Sequence, residues 1–263
     1  MTDQSNQAQT IIDPLDVARA QALQATLGLP PIVAGAPLPP FAHHIYFWDA
    51  QPPANLGRDG HVAKGSFIPD VGLPRRMWAA GELVFHRPLL AGVRAEKTSV
   101  IEGVTRKTGR SGPLAFVRVR HDIRQRQGLA LTEWQDLVYR EDTPEAAPPP
   151  PVADIDEDVA EQVQFDSTVL FRYSALTFNG HRIHYDETYA REVEGYDGLV
   201  VHGPLLAHLL MGLVQRQLGA LNTFSYRATA PLMHHEAATL CWKNGRAWVR
   251  GPDGRQCMVA EAT

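Results

Sequence analysis

The chain has 263 residues, of which 44% are hydrophobic, and a formal net charge of -4. No uninterrupted apolar run approaches the ~18 residues of a membrane-spanning helix, and the negative charge argues against nucleic acid as a bulk partner. Residues 1–10 lack the basic start and apolar middle of a secretory signal. We therefore expect a cytoplasmic protein in which Cys241 and Cys257 are reduced core residues.

The first half is predicted to be an antiparallel meander. We expect the polar residues up to Ile12 to be disordered, and a helix to run from Asp13-Pro14 to Gly28. The aromatic segment 41–48 fits either a short helix or an irregular packed segment. Residues 81–88, 94–104, 114–125 and 130–140 alternate apolar with polar side chains and are predicted to be strands.

A proline-rich stretch divides the chain in two. We place an N-terminal domain at 1–144, an extended linker at 145–158 and a C-terminal domain at 159–263. The second half is predicted to begin with a strand at 167–176, followed by a polar loop and a short helix near 187–193. A longer helix at 204–218 and four strands at 222–232, 236–243, 247–250 and 256–262 complete it.

The helix at 204–218 and the loop before it are the most informative part of the sequence. Gly203-Pro204 is a helix start, and the apolar residues that follow cover nearly the whole circumference, which predicts a helix buried on all sides. The start of a helix presents unpaired N–H groups and partial positive charge. A loop with two histidines, FNGHRIH at 178–184, precedes it, so we expect a site for chemistry at a carbonyl group.

This loop resembles the motif G-D-x-N-P-[LIV]-H-x(5)-[AS] of the R-specific enoyl-CoA hydratases in the MaoC-like hotdog superfamily. His184 matches the catalytic histidine and Ala190 the small residue, whereas Asn179 stands in the place of a catalytic aspartate. PRRMW at 74–78 and GRSGPL at 109–114 are similar to a subgroup that includes type 2 hydroxyacyl-thioester dehydratases and mesaconyl-C4-CoA or itaconyl-CoA hydratases.

The resemblance implies an α+β double hotdog, in which an antiparallel sheet wraps around a long central helix. The first half would be a hotdog whose central helix is degraded. The resemblance further implies a homo-oligomer, such as a dimer of double hotdogs.

Hydration of a 2-enoyl thioester needs a base for water and a donor for the thioester oxygen. We assign the base to His184, the donor to the backbone N–H of Gly203, and the orientation of water to Asn179. His181 is a candidate for further proton transfer. His202, beside the helix start, either takes part or only caps and packs.

Arginines are candidates for binding the substrate. Arg110, in the basic turn 106–110, can meet the phosphates of coenzyme A, although a solvated turn explains the same residues equally well. Arg76 and Arg182 can bind a substrate carboxylate through two parallel hydrogen bonds.

We predict an enoyl-CoA hydratase or dehydratase whose substrate is a coenzyme A thioester, with no metal and no other cofactor. A branched C5 dicarboxylic substrate, of the mesaconyl-C4-CoA or itaconyl-CoA type, is favoured by the resemblance. The alternatives are a 3-hydroxyacyl-thioester dehydratase of fatty-acid synthesis, a non-catalytic acyl-CoA-binding hotdog protein and a thioesterase. The direction of the reaction and the carrier, coenzyme A or acyl carrier protein, stay open.

Overall fold

The computed structural model describes residues 8–65, 67–109, 112–141 and 149–263, and these form ten strands and four α-helices. The strands are β1 (Ala8–Asp13), β2 (Arg75–Phe85), β3 (Ala95–Gly109), β4 (Gly112–Gln125), β5 (Gly128–Arg140), β6 (Val159–Val163), β7 (Thr223–Ala228), β8 (Ala238–Lys243), β9 (Arg246–Arg250) and β10 (Gln256–Ala262). The helices are α1 (Val17–Thr26), α2 (Ser167–Thr177), α3 (Glu187–Glu192) and α4 (Gly203–Leu218). Short 3-10 helices at Ala42–Ile45, Pro53–Asn55 and Arg182–His184 lie between them.

All ten strands belong to one antiparallel sheet, in the order β1-β3-β4-β5-β2-β7-β10-β9-β8-β6. The two halves of the chain meet where β2 pairs with β7, and there Gly81 lies opposite Tyr226. A Cβ atom at Gly81 would lie 2.6 Å from the Tyr226 ring. Glycine is therefore needed at this position for the tyrosine to lie across the junction.

Helix α4 lies in the core of the second half, where it packs against β7, β8, β9 and β10. The prediction of this helix is confirmed, but burial on all sides is wrong for its end, because residues 215–218 are exposed. Its buried residues share one cluster with first-half residues such as Leu15, Leu23 and Phe41. In place of a helix as long as α4, the first half carries α1 and the 3-10 helix Ala42–Ile45.

Two predictions of local structure are wrong. Residues 167–176 are helix α2, because Asp166 caps its start and Leu170, Tyr173 and Ser174 recur at helical spacing on its buried face. The aromatic and β-branched residues of this segment had favoured a strand in the sequence analysis. Residues Ala8–Asp13 form the edge strand β1 on β3, whereas we had expected disorder up to Ile12.

The four strands predicted in the first half, the last four predicted in the second half and the short helix α3 are confirmed, with bounds that differ by up to six residues. Residues 149–158 of the predicted linker lie against β9 and β10, where Ala153 is buried and the Trp248 side chain donates a hydrogen bond to the carbonyl of Asp154. Residues 145–148 lie outside the described residues, and the division at 1–144 and 159–263 stays a prediction.

Among the described residues no helix is long and apolar enough to cross a membrane. Cys241 and Cys257 are buried free thiols.

Candidate active site

The loop after α2 turns sharply and brings its histidines inward. Phe178, which ends α2, has a left-handed backbone with φ 53°. The Asn179 side chain then accepts a hydrogen bond of 3.0 Å from the backbone N–H of His181. One 3-10 turn later, Ile183 and His184 are buried. The sequence FNGHRIH thus forms a tight connection that places the side chains of Asn179, His181 and His184 at an interior cavity.

His184 is held in one tautomer. Its Nδ1 lies 2.7 Å from the carbonyl oxygen of Val200, which can only accept, so Nδ1 carries the hydrogen and Nε2 keeps a lone pair. Burial, followed by the neighbouring His181, lowers the pKa of His184 to about 3. The imidazole is therefore neutral near pH 7, which is the form that a general base requires.

His202 lies behind His184 and does not line the cavity described below. The two rings stack with centroids 3.7 Å apart, and His202 Nε2 lies 2.8 Å from the hydroxyl of Ser174. Its backbone carbonyl accepts from the N–H groups of Leu205 and Leu206 at the start of α4. These contacts give His202 a packing and capping position, one of the two alternatives left open by the sequence.

Gly203 is the first residue of α4. Its N–H has no acceptor among the described residues, and a Cβ atom placed on it would meet no atom within 4 Å. The amide hydrogen is therefore available at the end of a helix that carries partial positive charge, beside open space at the Cβ position. It can donate a hydrogen bond to an oxygen atom that enters this space.

A cavity of about 1050 Å³ connects these groups, and we call it the central cavity. It runs between the two halves, with walls from β2, from the loop after α2 and from the start of α4. Five of the predicted site residues line it together: Arg76, Asn179, His181, His184 and Gly203.

The predicted arginines separate in the structure. Arg76 lines the central cavity and has no carboxylate within ion-pair distance among the described residues. Arg182 is outside the cavity lining: its guanidinium binds Asp186 at 2.7 Å and lies over the ring of Tyr189 at 4.2 Å. The structure therefore brings Arg76, and not Arg182, to the candidate site.

Arg110 lies outside the described residues. In the described part of its turn, Arg106 donates a hydrogen bond of 2.7 Å to the carbonyl of Val71, and the Lys107 ammonium lies 5.3 Å from the ring of Phe116. Both residues line a separate open depression of about 610 Å³. The role of this turn in binding phosphates stays a prediction.

Asp59 and His61, which line the central cavity beside His181, were not predicted from the sequence. They lie on a tight loop closed by the bridge between Leu56 and Val62. Asp59 Oδ2 is 3.1 Å from His61 Nδ1, and the His61 ring is 4.4 Å from the ring of His181. No local pattern could reveal them, because this turn-rich segment reaches the site only through tertiary packing of the first half on the second.

In the part of the chain that the structure describes, two groups of side chains have the composition and spacing to hold a metal ion. One is His43, His44 and Glu133, and the other is Asp59, His61 and His181; within each group the ligand atoms lie within 4.8 Å of one another. Both groups are nonlocal, which is why spacing along the sequence did not reveal them. The absence of a metal and of any other cofactor remains a prediction.

Comparisons with known proteins match most of the chain. The family model for hydroxyacyl-thioester dehydratase type 2 matches residues 41–234. Mesaconyl-C(4)-CoA hydratase of Chloroflexus aurantiacus is 43% identical over 256 residues, covering 93% of this chain and 91% of that protein. The mitochondrial hydroxyacyl-thioester dehydratase type 2 of Schizosaccharomyces pombe is 27% identical, covering 81% of this chain and 80% of its own.

Solved structures agree on the fold. HtdX of Mycobacterium tuberculosis has a TM-score of 0.66 at 17% identity, covering 97% of this chain and 99% of its own. A MaoC-like dehydratase from Phytophthora capsici has a TM-score of 0.68 at 12% identity, with coverages of 99% and 96%. A further M. tuberculosis protein, described as a double hotdog, has a TM-score of 0.56 at 15% identity, with coverages of 99% and 96%. The chain therefore belongs to the hydroxyacyl-thioester dehydratase type 2 family and has the hotdog fold.

Proposed function

We propose that this protein is a hydro-lyase that adds water to the double bond of a 2-enoyl-CoA thioester and removes it in the reverse direction. One observation supports the proposal: His184, whose Nε2 keeps its lone pair, and Gly203, whose helix-start N–H has no acceptor among the described residues, line the same cavity. Addition of water needs these two groups, since water must lose a proton while negative charge builds on the thioester oxygen.

The residues take the following roles in the direction of hydration. Nε2 of His184 accepts a proton from water as the water oxygen attacks the β-carbon. The N–H of Gly203 donates a hydrogen bond to the oxygen that becomes an enolate. Asn179 holds the water through its side-chain NH₂ group, since its Oδ1 is already occupied by the backbone of His181.

A dicarboxylic substrate is supported by the 43% identical relative, which is named for mesaconyl-C(4)-CoA. We propose a branched C5 dicarboxylic acyl-CoA of this type, with Arg76 as the group that binds the free carboxylate. Arg76 suits this task because it lines the cavity and has no carboxylate partner among the residues described. A guanidinium can hold a carboxylate through two parallel hydrogen bonds.

The test is a panel of enoyl-CoA thioesters, followed by the loss of absorbance of the conjugated thioester while free thiol is measured in parallel. We expect absorbance to fall without release of thiol, and faster with a C5 dicarboxylic thioester than with crotonyl-CoA. Release of thiol would instead indicate a thioesterase. Binding of the thioesters without either change would indicate an acyl-CoA-binding protein.

Dehydration of 3-hydroxyacyl thioesters in fatty-acid synthesis is the second candidate, favoured by the family model and by the relative from Schizosaccharomyces pombe. A linear 3-hydroxyacyl thioester turned over faster than any dicarboxylic one would support it. A cytoplasmic location and a homo-oligomeric state remain predictions from the sequence and the resemblance.

A further inference from the structure

The loop Leu56–Val62, which we call the DGH loop, is docked on the loop that carries His184. The backbone N–H of Arg182 donates a hydrogen bond of 2.9 Å to the carbonyl of Asp59. At the contact, a Cβ atom on Gly60 would lie 2.0 Å from the carbonyl oxygen of Gly180. The two backbones therefore meet glycine to glycine, and this contact places Asp59 and His61 at the wall of the central cavity.

The loop that carries His184, residues 179–186, is called the catalytic loop below, and it lacks an available carboxylate. Between residues 179 and 186 the sole carboxylate is Asp186. One of its oxygens binds Arg182 and the other accepts the N–H of Tyr189 at the start of α3. A proton taken up by His184 would thus form a buried cation with no counter-charge in its own loop, which is costly.

Asp59 and His61 bring a carboxylate to the histidines of this site from the DGH loop, since the ligand atoms of Asp59, His61 and His181 lie within 4.8 Å of one another. Asp59 accepts two hydrogen bonds from His61, one from the backbone N–H at 3.0 Å and one from Nδ1 at 3.1 Å. Nδ1 therefore carries a hydrogen, and Nε2 is the edge of the ring left for proton transfer. The centroids of the His61 and His181 rings are 4.4 Å apart, and those of His181 and His184 are 5.4 Å apart. The three histidines form a row that starts at the proposed base and ends at a carboxylate.

Resting on the hydro-lyase function proposed above, we propose that His61, positioned by Asp59, is the second proton-transfer residue of the site. The oxygen of water bonds to the β-carbon, its O–H bond breaks, and the proton passes to His184 while the π electrons move to the thioester oxygen. The proton then crosses His181 to Nε2 of His61, where the Asp59 carboxylate offsets its charge. When the enolate collapses, His61 gives this proton to the α-carbon, so that one water is added and every histidine is neutral again.

The groups around His61 act on its pKa in opposite directions. The titratable and charged groups that face it are Asp59, Arg76, His181 and His184. Burial and then Arg76 lower the pKa of His61 to about 4, and Asp59 opposes both. Burial alone would raise the pKa of Asp59, yet the hydrogen bond from His61 holds it below its ordinary value. The carboxylate is thus ionised before the reaction begins.

The first test compares His61→Asn with His235→Asn. Asparagine keeps a donor toward Asp59 but cannot carry the proton, whereas His235 is an exposed histidine near Asp197 that does not line the cavity. We expect His61→Asn to lower kcat for hydration by about 10²-fold, the usual range for a positioned acid–base group, with KM changed by less than about threefold. His235→Asn should match the unchanged protein.

The second test is rescue of His61→Ala by imidazole added to the solution. We expect kcat to rise with the concentration of imidazole, since a lost packing contact would not be restored in this way. If this variant does not fold, Asp59→Asn is tested in its place. We expect a lower kcat and a pH profile of kcat displaced to lower pH, because the carboxylate favours the protonated form of His61 and the amide does not.

Four outcomes overturn the proposal. The first is a kcat for folded His61→Asn above about a third of the original value, the second is no rescue of His61→Ala by imidazole, and the third is an unchanged pH profile for Asp59→Asn. The fourth is a protein that binds one equivalent of a divalent metal, with this binding lost in His61→Asn, because a histidine that ligates a metal cannot carry the proton. Failure of the hydro-lyase function gives a different pattern, in which the unchanged protein and His235→Asn are also inactive on every enoyl-CoA.

Discussion

At the scale of the residue, a backbone carbonyl decides which nitrogen of His184 can act. That carbonyl belongs to Val200, whose own N–H donates a hydrogen bond of 3.0 Å to the carbonyl of Ile183. Val200 also pairs with Met233 in an isolated bridge. The tautomer of the base therefore follows from backbone contacts on both sides of the site, and substitution of nearby side chains should leave it unchanged.

Arg76 is the residue on which we expect substrate choice to depend. Arg76→Met should raise KM for a dicarboxylic enoyl-CoA and lower its kcat/KM about tenfold or more, because a lost charge-assisted hydrogen bond costs ~1.5–3 kcal/mol. KM for crotonyl-CoA, which has no second carboxylate, should stay the same. Arg182→Met is the matched control, since Arg182 is bound to Asp186 outside the cavity. Equal losses on both thioesters would show that Arg76 is structural.

Asn179 tests how water is held. Asn179→Ala should lower kcat less than loss of His184 does, because the base and the oxyanion donor remain. Asn179→Asp should retain activity, since the carboxylate can still accept from the backbone of His181 and can also bind water. Steady-state rates of hydration for the two variants check this. An inactive but folded Asn179→Asp would contradict the assignment of Asn179 to positioning water.

The sequence predicted His184, Asn179 and Gly203 because the loop and the helix start are contiguous and carry a recognisable motif. Asp59 and His61 could not be predicted, since they lie more than 100 positions earlier in the chain. Their place in the site depends on the docking of one loop on another. The position of Arg182 could not be predicted either, because the sequence does not show whether its guanidinium faces the cavity or binds Asp186.

At the scale of the element, helix α4 and the strands were predictable because their periodicity agrees with their burial. In β4, for example, Ala115, Val117 and Val119 alternate with less buried residues. Helix α2 was mispredicted because its sequence, STVLFRYSALT, has strand-like composition. A capping aspartate and tertiary burial of one face outweigh such propensities. Residues 8–13 become a strand only through pairing with β3.

The DGH loop gives a prediction at this scale. Gly60→Ala should separate this loop from the catalytic loop, because the new Cβ would clash with the carbonyl of Gly180. We expect kcat to fall by about 10²-fold, as misplacement of catalytic groups by about 1 Å can do. Gly65→Ala is the control, since Gly65 also has positive φ but no atom near its Cβ position. Similar kcat values for the two variants would contradict this role of the contact.

At the scale of the whole molecule, the two halves share one sheet and one hydrophobic core, and this shared interior contains several neutral histidines. Burial is the largest cause that lowers the pKa of each of these from 6.5: His43, His121, His184, His202 and His208. They are free to bind protons when the chain unfolds but not when it is folded. Protons therefore favour the unfolded state.

The consequence is a loss of stability in mild acid. As pH falls below about 6.5, the unfolded chain binds protons that the folded chain excludes, so the free energy of unfolding should decrease from pH 7 to pH 5. Each such histidine contributes ~1.4 kcal/mol per pH unit once pH is well below 6.5. Burial alone would raise the pKa of Glu133, but His44 and His43 hold it below its usual value. The stabilisation that Glu133 contributes is therefore lost only at lower pH.

Denaturant unfolding at several pH values measures this slope. His208→Leu should reduce the slope by the share of one histidine, because the pKa of His208 is lowered to about 3 by burial and then by His44 and His43. A free energy of unfolding that is constant between pH 7 and pH 5 would contradict burial of these histidines in their neutral form.

In the proposed reaction, water adds to an enoyl thioester in the central cavity, with His184 as the base and the start of α4 as the donor. The decisive measurement is the hydration rate of His184→Ala on the enoyl-CoA that the wild-type protein turns over fastest. We expect a fall in kcat of about 10²–10⁴ in a folded protein, the range for loss of a positioned acid–base group. A fall of less than about threefold would contradict it.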